Sequence, residues 1–189
     1  MLILIPLRGI DSSMSRIRKG IDPDLVSTAV RKYLDTYLQI LNREERVVFL
    51  TSDRKLEMEL LLENYEVRLD DGLSLNKAIF GTIATKDYTH VLILMPDLPG
   101  FTQLSFYKIL QMTTISDNFI VPSYDSGTNI AFLSKEFIQI SPVDLYGPYS
   151  STRIKEIADR NEIPLYVFKL RECMRDLDTV EDWHFWHPR

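Results

Sequence analysis

Cysteine is almost missing from this chain: Cys173 is the only one among 189 residues. One thiol cannot build a disulfide framework or a cysteine-based zinc site, and a reducing, cytoplasmic setting fits. Histidine is scarce too. There are three, and His184 and His187 sit near the C-terminus, so imidazole general-base chemistry has few candidates. Glycine-rich phosphate signatures are absent: neither G-x-G-x-x-G nor G-x-x-x-x-G-K-[ST] occurs, and H-E-x-x-H and G-x-S-x-G are missing as well. No apolar run approaches the roughly 20 residues that a membrane helix needs. Met1 to Leu7 is apolar but lacks a basic flank and a small-residue cleavage site, so it reads as a strand rather than a signal peptide. Positive charge is also in short supply. The formal net charge of −5 argues against a general nucleic-acid binder. What remains is an ordinary globular composition, with length for one domain over 1–189 that buries roughly 70% of its unfolded surface.

Apolar runs alternate with helical patterns almost throughout. Strands are predicted at Leu2 to Leu7, Val47 to Leu50, Glu66 to Leu69, His90 to Met95, Phe119 to Pro122, Asn129 to Leu133 and Leu165 to Leu170. The first helix starts at Asp22-Pro23, a capping residue followed by proline. Its apolar stripe is read as Leu25, Ala29, Tyr33, Leu34, Tyr37, Leu38 and Leu41. Further helices are expected from Thr51-Ser52-Asp53 to about Glu63, Leu75 to Thr85, Thr102 to Thr114, Ser150 to Arg160 and Val180 to Trp186. This alternation implies an α/β fold with three α/β/α layers and a mostly parallel sheet. Such sheets bind ligands at the carboxyl ends of their strands.

Asp97 stands at such an end. It follows Val91-Leu92-Ile93-Leu94-Met95 in the turn Pro96-Asp97-Leu98-Pro99-Gly100. A second acidic segment, Asp176-Leu177-Asp178, lies far downstream. Magnesium prefers oxygen ligands and takes one or two carboxylates plus substrate phosphates, so Asp97 with Asp178 would suit it. Asp97 also fits an Asx-turn. Asp178 also fits a helix cap with Glu181 three residues on, which would leave Asp176 for the metal. The segment Arg8 to Gly20 holds Arg8, Arg16, Arg18 and Lys19 with three serines, and reads either as a flexible phosphate-wrapping loop or as solvated surface. Asn76, after the turn at Asp71-Gly72, either reads a base or ribose edge or belongs to a capped turn. Thr128 and Asn129, in a glycine-containing loop, either hold an anion or close a tight turn. Ser150 or Ser151 would cap a helix whose free N–H groups face an anion, and Arg153 in its first turn would gain from one.

In order, these segments resemble the 2-phospho-L-lactate guanylyltransferases, a nucleotidyltransferase family of Rossmann-like, GT-A-like fold that acts in biosynthesis of the deazaflavin coenzyme F-420. The matching pieces are Ile5-Pro6-Leu7, Ser15-Arg16-Ile17, Leu75-Asn76-Lys77-Ala78, Pro96-Asp97-Leu98-Pro99, Gly127-Thr128-Asn129, Tyr146-Gly147-Pro148-Tyr149-Ser150 and Asp176 to Asp182. The resemblance implies Mg²⁺ on Asp97 and Asp178, and a small phosphorylated acid at Thr128, Asn129, Gly147 and Ser150. It implies GTP at Pro6, Leu7, Arg8, Asn76 and Asp97, with Arg16 acting in catalysis. The acid would be 2-phospho-L-lactate, phosphoenolpyruvate or 3-phosphoglycerate, and the enzyme a cytoplasmic protein, possibly a homodimer. Trp183, Phe185 and Trp186 could pack on the core or on a second subunit. One departure matters. The family pattern K-x-R-L places lysine where this chain has Met14, which cannot pair with phosphate; Arg8, Arg18 or Lys19 would have to compensate. Other nucleotidyltransferases of similar fold (molybdopterin-guanylyl- or sugar-nucleotidyl-type) and a non-catalytic nucleotide binder stay open.

Overall fold

A computed structural model describes residues 1–41, 46–70, 73–140, 146–147 and 149–188. The expected turn at Asp71-Gly72 and Pro148 lie outside the described residues. Seven strands form one sheet: β1 (Leu2–Pro6), β2 (Val47–Thr51), β3 (Glu66–Leu69), β4 (His90–Leu94), β5 (Phe119–Pro122), β6 (Thr128–Ser134) and β7 (Tyr166–Val167). Their order is β3-β2-β1-β4-β6-β5-β7. β1 pairs in parallel with β2 and β4, β2 with β3, and β5 with β7. β6 is antiparallel to both β4 and β5, which makes it the one reversed strand. The sheet is therefore mixed and mostly parallel, as expected.

Both faces of the sheet are covered, and β1 shows why. Successive side chains of a strand point to opposite faces. Ile3 and Ile5 enter a core with helices α1 (Pro23–Leu41), α2 (Arg54–Leu62), α4 (Gln103–Thr113) and α7 (Val180–Trp186). Leu2 and Leu4 enter a second core with α3 (Leu75–Ala84), α5 (Lys135–Ile140) and α6 (Ser150–Arg160). A strand buried on both sides reads as an unbroken apolar run, which LILIP is.

Several expectations need correction. The buried stripe of α1 runs through Val26, Val30 and Ile40, while Leu25 is exposed. β7 has two residues instead of six, because it is an edge strand held only by β5 and the chain turns off into a 3-10 turn at Arg171–Cys173. α5 was not foreseen; six residues are too few to show a helical period. Trp183 is buried and Trp186 packs against the core, whereas Phe185 is exposed and lies 3.9 Å from the Arg175 guanidinium. Among the described residues, no helix is long and apolar enough to cross a membrane.

Candidate active site

In the strand order, the chain leaves β1 toward β2 on one side and returns to β4 on the other. Open α/β sheets form a crevice at such a switch point, beyond the strands' carboxyl ends. Here the crevice is two cavities with a common wall. The first, of about 210 Å³, is lined by Pro6, Leu7 and Arg8, by Ser12 to Ser15, and by Val30, Leu34 and Tyr37 of α1. The second, of about 410 Å³, is lined by Arg16, Asp125, Thr128, Asn129, Gly147, Ser150, Asp176 and Asp178, among others. Leu75, Met95 and Asp97 line both.

Asp97 is held from several sides. Its carbonyl accepts the Leu177 N–H at 2.9 Å, and the neighbouring Met95 carbonyl accepts the buried Tyr37 hydroxyl at 2.6 Å. Gly100 lets the 171–178 segment come this close: a Cβ there would stand 1.9 Å from the Glu172 carbonyl oxygen. The Asn129 amide donates to the Cys173 carbonyl at 2.9 Å, and Tyr124 N–H donates to the Met174 carbonyl at 3.0 Å, tying the same segment to the start of β6. Because β6 is reversed, its first residues rather than its last reach the crevice.

The carboxylates of Asp97, Asp176 and Asp178 thus line one cavity. Burial, assisted by the charge of Asp178, pushes the Asp97 carboxyl up to about 6, against opposing backbone hydrogen bonding. Burial, then the charge of Asp97, pushes Asp176 up to about 7. Asp97 Oδ1 is shut off from solvent and has no hydrogen-bond partner among the described residues. An unpaired buried oxygen beside two further carboxylates is costly as it stands and suits a cation. No group of three or more His, Cys, Asp or Glu converges on one point among the described residues. Magnesium with substrate phosphates does not require one. The pair Asp97 and Asp178, which line one cavity with Asp176, would suit Mg²⁺ completed by substrate phosphates.

Asp178 is free for such a role because the last helix is capped one residue later than expected. Thr179 is the N-cap, and Asp182, not Glu181, closes the capping box. In this state Asp178 forms an ion pair with Arg16, which brings the loop after β1 to the acidic cluster.

That loop is no open coil. It is wound into turns by Ser13 N–H to Gly9 O and Ile17 N–H to Met14 O, and Ile17 is fully buried. Arg18 donates to the carbonyls of Ser13, Pro23 and Ile10 and to Ser27 Oγ, so it holds the loop and cannot stand in for the missing lysine. Lys19 is exposed and lines neither cavity, whereas Arg8 lines the first. Met14 occupies the left-handed region (φ 57°) and turns into the first cavity.

Two further expectations change. The Asn76 amide, expected near the nucleoside, is engaged with the backbone of Tyr146. Its Oδ1 accepts Tyr146 N–H at 3.0 Å and its Nδ2 donates to Tyr146 O at 3.1 Å. Ser150 and Ser151 do not cap α6; Tyr149 does, in the left-handed region and without a side-chain hydrogen bond. Ser150 Oγ instead donates to Thr128 Oγ1 at 3.0 Å, and Ser151 Oγ to Ser126 O at 2.9 Å. Thr128 therefore keeps its own proton to give. Arg153 Nε, one turn along α6, is buried without a partner among the described residues. Tyr146, which has no role in the sequence pattern beyond its place in the matching segment, is buried in the wall of the second cavity. Its only sequence signal is its place before Gly147.

Comparisons with known proteins bear on the fold and the family. The solved structure of 4-diphosphocytidyl-2C-methyl-D-erythritol synthase from Anaerococcus prevotii superposes with a TM-score of 0.63 at 17% identity, covering 97% of this chain and 92% of that one. A Desulfovibrio desulfuricans protein, provisionally named a nucleotide-diphospho-sugar transferase, reaches 0.81 at 17% identity, covering 99% and 86%. These likenesses establish the GT-A-like nucleotidyltransferase fold. Phosphoenolpyruvate guanylyltransferase from a Roseiflexus species is 28% identical over 119 residues, 60% of this chain and 51% of that protein. 2-Phospho-L-lactate guanylyltransferase from Methanobrevibacter smithii is 27% identical over 159 residues, 83% and 65% respectively. The chain thus spans between half and two thirds of these relatives' lengths. The family model described as guanylyl transferase CofC like matches residues 1–184, and the chain belongs to that family.

Proposed function

We propose that the chain transfers the guanylyl group of GTP to a small phosphorylated three-carbon acid and releases pyrophosphate, as a cytoplasmic step in coenzyme F-420 biosynthesis. One observation carries this reading: Asp97, with an unpaired buried oxygen, stands in the common wall of two cavities. A carboxylate so placed faces two substrates at once.

GTP would take the first cavity, with Pro6 and Leu7 against the nucleoside side and Arg8 at the phosphates. The acid would take the second, with Thr128 Oγ1, which accepts from Ser150 Oγ, donating its own proton to an acid oxygen. Arg16 stands beside Asp178 and is placed to reach the phosphates between the two. A phosphate oxygen of the acid attacks the α-phosphorus of GTP, the bond from that phosphorus to the bridging oxygen breaks, and pyrophosphate leaves with that electron pair. The attacking oxygen is already ionised near neutral pH, so no residue has to remove a proton, in keeping with a site without histidine. Asp97 and Asp178, joined by Asp176, would hold Mg²⁺, which supplies charge neutralisation on the phosphates. The chain's own contribution is orientation and a partly dry, preorganised site.

The test is direct. Purified protein with Mg²⁺, each nucleoside triphosphate and each of 2-phospho-L-lactate, phosphoenolpyruvate and 3-phosphoglycerate is assayed for pyrophosphate. Release with GTP and one acid is expected; no release with any pair would reject the function.

A further inference from the structure

Tyr146 is 7% exposed and lines the second cavity. Its hydroxyl is buried and has no hydrogen-bond partner among the described residues. A buried hydroxyl gives up its bonds to water, and folding normally supplies a replacement. Here the backbone of Tyr146 is clamped in both directions by the Asn76 amide, and Arg153 Nη2 approaches the same carbonyl at 3.5 Å. With its backbone pinned, the residue has little freedom to carry its ring elsewhere. A residue of the cavity's wall thus carries a buried hydroxyl that has no partner among the described residues.

The chemistry of what it awaits follows from its neighbours. Burial, and then the charge of Asp97, keep the phenol protonated far above the ordinary range, so it acts as a donor. Asp97 Oδ1 is also unpaired, so that oxygen and the hydroxyl do not satisfy each other. A cation suits the carboxylate and an anionic oxygen suits the phenol. A ligand that carries both a bound cation and anionic oxygens satisfies the two together.

We propose that the Tyr146 hydroxyl donates a hydrogen bond to an anionic oxygen of the acceptor acid, and that Asn76 is the residue that positions it. This rests on the guanylyl-transfer reading above. It gives Asn76 a place on the acid side of Asp97, through Tyr146, and not on the nucleoside side.

Tyr146→Phe keeps the ring and removes the donor. The KM for the acid should rise roughly tenfold or more, the strength of one charge-assisted hydrogen bond. The KM for GTP should stay within about twofold. The melting temperature of the ligand-free protein should hold or rise, because an unpaired buried group is removed. Asn76→Ala should raise the acid KM in the same selective way while lowering the melting temperature. An unchanged acid KM in Tyr146→Phe, an equal rise for GTP, or a clear loss of ligand-free stability would overturn the proposal. The wild type separates the two readings. If it turns over no pair, guanylyl transfer and the hydroxyl's role fall together; if it turns over normally and Tyr146→Phe matches it, only the hydroxyl's role falls.

Discussion

The two cavities on either side of Asp97 are built in opposite ways. The first comes mostly from contiguous chain: β1, the loop behind it and the facing side of α1. Its walls are largely apolar, and Met14, Val30, Leu34 and Tyr37 leave Arg8 as its cation. The second is assembled from Arg16, the β4 turn, the start of β6, the segment before α6 and the stretch at Asp176 and Asp178. It carries more charged side chains than the first, and its acidic cluster faces Arg16. A site made from local chain can be shaped by a few neighbouring substitutions, as at Met14. A site made from distant segments depends on every contact that docks them.

The strongest way to break the comparison is to remove what both cavities share. Asp97→Asn should lower pyrophosphate release by roughly 10²–10³-fold or more, with the fold kept and the melting temperature unchanged or higher. Near-normal turnover would show that the common wall is not the reacting centre. Next comes the docking of the second cavity. Gly100→Ala places a methyl against the Glu172 carbonyl, a backbone atom that cannot swing aside. It should cost about 2–3 kcal/mol, or roughly 5–10 °C of melting temperature. It should also weaken Mg²⁺ binding, read by calorimetry, because Asp176 and Asp178 would be pushed from Asp97. An unchanged melting curve would mean that the segment is not held there.

A third, smaller effect concerns pH. Asp97 and Asp176 titrate near 6 and 7, above their ordinary 3.8. The folded protein then binds more protons than the unfolded chain between those values. Their contribution to the stability of the metal-free protein is therefore full below about pH 4 and is lost as pH rises to about 7. Melting curves of the ligand-free protein should show that decline, and Asp176→Asn should flatten its upper part. Added Mg²⁺ should restore stability most at the high end, because it binds the ionised pair. A flat profile would separate the carboxylates from each other. The smallest expected change tests the first cavity alone. Met14→Lys puts a cation among its apolar walls and should lower the KM for GTP by roughly threefold while leaving the acid's KM in place; equal shifts for both would blur the division.

Much of the fold was legible because burial dictates pattern. LILIP and VLIL are apolar without interruption since both faces of β1 and β4 are covered. The helix start read at Thr51-Ser52-Asp53 falls on Asp53, whose carboxylate accepts from Lys55 N–H and Leu56 N–H. Errors fell where two choices differ little in energy. Leu25 and Val26 both continue a helical stripe, and only the sheet's position decides which is buried. Asp178-Thr179 offers two adjacent capping residues, and the chain uses the second. In the site, Asp97 and Asp178 were legible as carboxylates and by family pattern. Asn76 was not, because an amide that clamps backbone and an amide that reads a ligand have the same sequence signal.

By itself, the sequence determined the alternation of strands and helices, the acidic turn after β4 and the scarcity of histidine, since each follows from residue type and spacing. Tertiary structure alone decided that Asp97 lies between two cavities, that Asp178 faces Arg16 and that the Tyr146 hydroxyl is buried without a partner among the described residues. Those outcomes depend on the reversed direction of β6 and on the backbone contact at Gly100. Both are relations between segments far apart in the chain, and no local pattern records them.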